Sequence, residues 1–324
     1  MVKVAKTGPL PDNLVQSQAE DAQDLAGTLD DLAKVSVVIV NKNERLISDT
    51  LGALEPYVGH ALHEVVVVDA SNGALDDIKE AYDWVKWSNY VQPPGIRTTI
   101  AHQRNIGVQL AEGDIIVFTD SGCLPQECWL ERLLAPLLTE GENVTCGPAK
   151  SIGKSIYSDA RLLGGMDFNY VPMATTINMA FRREAFEAVS GFDESFGAAE
   201  DLDFAWRLAD SGFRLRWVND AVVTHDWGTP QRQLRRAFFY GKGWCRLLRK
   251  HPHRLGEVTK ENSVPVVYAL FLLGLPLILK WRWYPLLLLW PIWRNRDEEL
   301  PWLVILDHLV MGAGVIYELT RPGT

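Results

Sequence analysis

Two adjacent carboxylates, Glu200 and Asp201, open a helical pattern in the stretch GFDESFGAAEDLDFAWRLADSGFRLRWVNDAVVTH (191–225), and His225 follows the next strand. A carboxylate pair can divide proton work, one group accepting a proton from an attacking hydroxyl while its neighbour orients it. The same pair also suits a bare helix N-terminus, where acids meet the macrodipole and the orphan N–H groups. Leu202, Trp206, Ala209 and Phe213 keep helical spacing and Gly212 supplies a stop, which puts the pair on or before the first turn. Within that stretch alone both readings stand.

The elements that would position such a pair lie upstream. VSVVIV (35–40), EVVVVD (64–69) and DIIVFTD (114–120) are apolar strand patterns. Between them run a helix through Leu46, Ile47, Leu51 and Leu54, a helical stretch towards Trp84, and a helix from about Thr99 to Ala111. Continuous apolar strands alternating with helices predict an α/β fold with a mostly parallel central sheet and helices on both faces. In such sheets ligands bind beyond the carboxyl ends of the strands, where Asn41, Asp69 and Asp120 would sit.

The chain has 324 residues, 47% of them hydrophobic, enough for a full core. Its net charge of -9 is unevenly spread. Residues 229–263 carry nine Lys and Arg against two Glu, a net +7, which leaves -16 for the remainder. A basic segment on an acidic chain predicts an anionic partner for that segment. Nucleic acid is disfavoured, because the rest is acidic and no recognition motif appears. Four cysteines without zinc spacing or a dense disulfide pattern, and an N-terminus without an apolar signal core, fit a reducing cytosol.

Four segments follow from composition: a polar N-terminal tail (1–34), an α/β domain (35–228), a basic amphipathic linker helix (229–263) and hydrophobic C-terminal helices (264–324). The last contains VPVVYALFLLGLPLIL, YPLLLLWPIW and PWLVILDHLVMGAGVIYEL, all punctuated by proline and none a clear uninterrupted span. Trp281, Trp283, Trp290, Trp293 and Trp302 lie among Lys280, Arg282, Arg294 and Arg296, as at a headgroup interface. This predicts membrane contact, as interfacial helices or a short hairpin dipping into the bilayer. A helical cap or an oligomer interface is the alternative.

Taken together, these residues resemble family-2 glycosyltransferases of the GT-A fold. VSVVIVNKNE resembles the family's first strand and nucleotide loop, and EVVVVDASNG its second. HQRNIGVQLAEGDIIVFTDSG resembles its Arg-Asn helix and DxD strand, and GFDESFGAAEDLDFAWRL its catalytic segment. The resemblance implies an inverting enzyme that moves a sugar from a nucleotide diphosphate, UDP favoured over GDP, to a hydroxyl of a lipid-linked or cell-envelope glycan. It implies Asp201 as general base with Glu200 as its helper. Asn41, Glu44, Asp69, Arg104, Asn105, Asp120, Ser121 and Asn178 are implied to line the donor site.

The chain departs from the family at Gly122, where a second DxD aspartate would ligate a metal. Asp120 and His225 are then the candidate ligands for Mg2+ or Mn2+, hard ions suited to oxygen donors. The processive QxxRW motif is incomplete, since Ala237 follows Gln233-Leu234-Arg235-Arg236. The segment between Ala149 and Asn178, where periodicity fades, is expected to form a mobile acceptor-side loop. The resemblance places the protein on the cytoplasmic side of the membrane. Its rivals are a retaining GT-A transferase and a non-catalytic sugar-nucleotide-binding subunit.

Overall fold

A computed structural model describes residues 34–95, 100–152, 156, 169–298 and 300–321. The expected N-terminal tail up to residue 33, and most of the expected acceptor-side loop, lie outside the described residues. Chain contacts divide the protein into two compact units, one of residues 2–150 and 162–225 and the other chiefly of residues 151–161 and 226–324.

The first unit is built on seven strands: β1 (Val35–Asn41), β2 (Glu64–Asp69), β3 (Lys86–Asn89), β4 (Ile115–Thr119), β6 (Val144–Cys146), β8 (Asn178–Arg182) and β9 (Leu215–Trp217). Their order in the sheet is β3-β2-β1-β4-β8-β6-β9. β1 runs parallel to β2 and β4, and β2 to β3, while β8 lies antiparallel between β4 and β6. β5 (Cys123–Pro125), β10 (Val223–His225) and β7 (Ala149–Ser151) form a small second sheet. The sheet is thus mostly parallel, in a mixed α/β fold.

The apolar runs explain the centre of this sheet. Val37 to Ile39, Val65 to Val68 and Ile115 to Val117 have no solvent exposure, the state expected of parallel strands covered on both faces. Helices α1 (Ile47–Leu54), α2 (Asp76–Ala81) and α3 (Ile100–Leu110) connect them, followed by α4 (Trp129–Thr139), α5 (Arg183–Ala188) and α6 (Glu200–Asp210). At Gly107 an added Cβ would collide with Val38, so glycine lets α3 lie directly on β1. Where a helical stretch towards Trp84 was expected, the helix ends at Ala81 and β3 forms. Its sequence, Lys-Trp-Ser-Asn, is that of a half-exposed edge strand and lacks the apolar run that marks a central one.

Register sets the site. β1 and β2 pair with Asn41 opposite Asp69, and β2 and β3 with Asp69 opposite Asn89, so three polar side chains share one end of the sheet.

The second unit contains α7 (Pro230–Lys250), α8 (Leu255–Glu261), α9 (Val264–Leu273), α10 (Leu289–Arg294) and α11 (Pro301–Leu319). Thr229 caps α7, its side chain accepting from the Arg232 N–H, and Pro230 takes the first turn. Gln233 is buried, donating to the Gly228 carbonyl at 2.8 Å and accepting from the Ile156 N–H at 3.0 Å. The expectation that proline interrupts every C-terminal segment is corrected at α11. Pro301 opens that helix, where its missing N–H costs nothing, and its 19 residues run without a break. It is the one helix among the described residues long and apolar enough to cross a membrane.

Candidate active site

Glu200 and Asp201 begin α6 after Ala199, whose backbone is left-handed at φ 65°. Glu200 is buried and pairs with Arg104 of α3, which is itself buried. Arg104 also faces the end of β4, the strand that follows its helix, its guanidinium standing 4.0 Å from Asp120. The rings of Phe118 and Phe192 flank the guanidinium at 6.0 and 5.6 Å. Expected near the diphosphate, Arg104 is committed first to the acid pair, tying the end of β4 to the start of α6.

Asp201 is partly buried and accepts its neighbour Leu202's N–H at 2.8 Å. Burial, and then the charge of Glu200, push its carboxyl up from 3.8 to about 7, against the pull of Arg104 and of the Leu202 N–H. A carboxylate poised there can hold or release a proton near neutrality, as a general base must. Asp203 is fully buried and salt-bridged to Arg207 at 2.8 Å, and Arg207 donates to the Val189 and Gly191 carbonyls. That is a structural lock on the loop leading to the pair. Asn105, expected beside the nucleotide, closes the same loop: its amide donates to the Phe192 carbonyl and Glu194 at 2.9 and 2.8 Å and accepts from the Phe192 N–H at 2.9 Å.

Asp69 is buried at the end of β2. One oxygen accepts the Ser71 N–H at 3.1 Å and the other pairs with Lys79 at 2.8 Å. Lys79 also donates to Asn89 at 2.6 Å. Around this triplet lies a crevice of about 250 Å³ lined by Asp69, Asn72, Gly73, Asp76, Asn89, Tyr90 and Val91. Asp69 thus caps the turn at Ser71 and also faces the crevice. Lys79, Asn89 and Tyr90 were not anticipated. Their only signal was Lys79, one cation in the acidic run SNGALDDIKEAYD.

Asn41 and Ser121 meet, the hydroxyl donating to Asn41 Oδ1 at 3.0 Å, and Asn41 reaches the Glu44 carbonyl at 3.3 Å. Glu44 thus enters this contact by its backbone. Asn178, expected to line the donor site, is tied to the protein. It is fully buried, accepts from Trp129 Nε1 at 2.9 Å and donates to the Pro148 and Ala221 carbonyls at 3.0 and 2.7 Å. Both ends of the amide are engaged with protein, a strand-end role.

The departure at Gly122 has a backbone cause. Gly122 has φ 86°, a conformation that costs other residues, and its N–H donates to Thr50 Oγ1 at 2.9 Å. An added Cβ would lie 3.3 Å from Leu46 and 3.8 Å from His225 Cε1. The Asp120-Ser121-Gly122 turn therefore packs beside His225, whose Nδ1 is 3.6 Å from Cys123 Sγ across the β5–β10 ladder. The part-exposed Asp120 carboxylate is an oxygen donor of the kind that hard divalent ions take, and the His225 imidazole lies beside the same turn.

Fold and site define a GT-A glycosyltransferase: a mostly parallel sheet with acids gathered beyond its strand ends. Residues 36–190 match the family described as Glycosyl transferase family 2, and residues 156–317 match Glycosyl transferase family group 2. The chain belongs to glycosyl transferase family 2 and is an enzyme of that class.

It is 31% identical over 192 residues to a pre-mycofactocin glycosyltransferase of Mycobacterium tuberculosis, covering 54% of this chain and 40% of that protein. It is 32% identical over 232 residues to polypeptide N-acetylgalactosaminyltransferase 11 of Xenopus tropicalis, covering 60% and 38%. The chain thus spans less than half the length of these relatives. Among solved structures, a mannosyltransferase from Pyrobaculum calidifontis in complex with GDP-Man and Mn2+ superposes with a TM-score of 0.64 at 19% identity, covering 95% of this chain and 94% of that one. GalNAc-T7 with UDP, GalNAc and Mn2+ gives 0.51 at 17% identity, covering 76% and 57%.

Proposed function

We propose that this enzyme transfers a sugar from a nucleotide diphosphate, UDP favoured, to a hydroxyl of a lipid-linked or cell-envelope glycan, with inversion at the anomeric carbon. The observation that carries this reading is Asp201 beside Glu200, Arg104 and Asp120, its carboxyl raised to about 7. The acceptor oxygen attacks the anomeric carbon and its proton passes to Asp201. The bond from that carbon to the diphosphate breaks, and the nucleoside diphosphate leaves with the electron pair. Arg104 pairs with Glu200, and burial together with the neighbouring Glu200 keeps Asp201 basic.

The crevice at Asp69, Asn89 and Tyr90 takes the nucleoside, with Asp69 accepting a base or ribose hydrogen. A divalent ion, held by Asp120 and His225, would supply positive charge to the departing diphosphate. The Mn2+ named in both structural neighbours supports that assignment. The C-terminal unit brings the enzyme to the cytoplasmic face of a membrane. Its support is the exposed Leu and Trp surface interleaved with cations and the apolar α11.

A nucleotide-sugar panel, with and without Mn2+, tests the donor by thermal stabilisation of the native state. No shift with any donor would overturn it. Product anomeric configuration by NMR tests inversion, and a retained configuration would remove Asp201 as base.

A further inference from the structure

We propose that the C-terminal unit docks on one leaflet of an anionic bilayer through residues 270–302, and that α11 stays within the protein and does not cross. This deepens the membrane reading above and rests on it. α11 has 19 residues, about 28 Å at the helical rise, so its length permits a span. Its surroundings do not suit lipid. Glu318 is buried and accepts from Arg246 of α7 at 2.6 Å, and Arg249 donates to the Glu318 and Leu319 carbonyls at 3.0 and 3.1 Å. Asp307 and His308 are buried as well, the His308 ring 4.9 Å from that of Tyr268.

The helices meet backbone to backbone. A Cβ on Gly241 of α7 would strike the Met311 carbonyl, and one on Gly314 would strike that of Phe238. One on Gly312 would lie 2.7 Å from the Tyr268 carbonyl carbon. Crossing the bilayer would therefore draw α7 with α11, and α7 carries seven Lys and Arg. A charged side chain is strongly disfavoured near the bilayer centre.

The apolar surface lies on the preceding turns. Leu279 is 91% exposed, and Trp281, Trp283, Trp290 and Trp293 are open to solvent. Arg282 stacks over Trp283 at 4.6 Å, Arg294 over Trp290 at 5.2 Å and Arg296 over Trp293 at 4.6 Å. An indole under a guanidinium matches the headgroup boundary, apolar below and cationic above, and the cations complement anionic lipid. α9 has 10 residues, about 15 Å, half the ~30 Å hydrocarbon thickness. 3-10 turns follow it, each with proline in its first turn.

The full-length enzyme tests this in a Cys128→Ser background carrying Lys260→Cys, Asp297→Cys or Thr320→Cys. Sealed membrane vesicles from expressing cells are treated with a membrane-impermeant maleimide, with and without permeabilisation. All three positions should label from the same face. Labelling of Asp297→Cys and Thr320→Cys from opposite faces would overturn the one-leaflet arrangement and leave membrane contact standing. In parallel, purified protein should bind phosphatidylcholine–phosphatidylglycerol vesicles more tightly than pure phosphatidylcholine. Trp290→Ser/Trp293→Ser should weaken that binding at least about tenfold, with an unchanged unfolding midpoint. Failure of the wild-type protein to bind either vesicle would overturn both the docking and the membrane reading.

Discussion

At the residue scale, burial and the neighbouring Glu200 raise the Asp201 carboxyl while Arg104 pulls it back. If Asp201 is the base, Asp201→Asn should lower turnover about 10²–10⁴-fold with donor affinity retained. Turnover of the wild type should rise with pH through about 7, since the base acts only when deprotonated. Near-normal turnover in the variant would sink the assignment. The sign for stability is opposite. A carboxyl raised in the folded state adds stability below its ordinary 3.8 and loses it as pH rises through about 7. Asp201→Asn should therefore melt higher than wild type at pH 8, by roughly 1–2 kcal/mol, and show little gain at pH 4. Arg104 is the counter-charge. Arg104→Met leaves Glu200 buried without its cation and should cost about 3–5 kcal/mol in urea unfolding. Adding Glu200→Gln should recover much of that loss, because the uncompensated charge goes with it.

At the element scale, the turn from β4 to β5 bears on the proposed metal site. Restoring the family acid as Gly122→Asp places a side chain at φ 86° against Leu46. It should cost about 1–2 kcal/mol and leave Mn2+ affinity, followed by titration calorimetry, no tighter. A tighter, stable variant would mean that the turn relaxes readily. The sequence made this departure visible but not its cause, because a lone glycine does not announce its φ. β1, β2 and β4 were legible for the reason that they are central: both faces are buried, so nearly every residue is apolar. β3 was missed because an edge strand carries no such run. The acid pair's position was legible from helical spacing, whereas its Arg104 partner sits 96 residues away and no local pattern encodes that distance. Asn178 looked like a ligand for the same reason that it is a good strand-end tie, since its amide both donates and accepts.

At the scale of the whole molecule, the division of labour follows the division of the chain. Every candidate site residue from Asn41 to His225 belongs to one unit, and every exposed tryptophan of residues 281–302 belongs to the other. Charge is divided along the chain as well, with a net +7 on residues 229–263 and -16 elsewhere. A ligand that binds only the native state stabilises by about 2.7 kcal/mol at a hundredfold excess over its Kd, and the gain falls on the unit whose opening breaks its site. Hydrogen exchange with saturating donor nucleotide should therefore slow the amides of β1, β2, α2 and the β4–β5 turn. Exchange in α9 and α10 should be unaffected. Anionic vesicles should reverse the pattern, slowing exchange from α9 through α10 with little change at the crevice, and added salt should weaken that protection by screening the cations. If nucleotide alone slowed exchange in α9 and α10, donor binding and membrane docking would be coupled, and each would strengthen the other by the same factor.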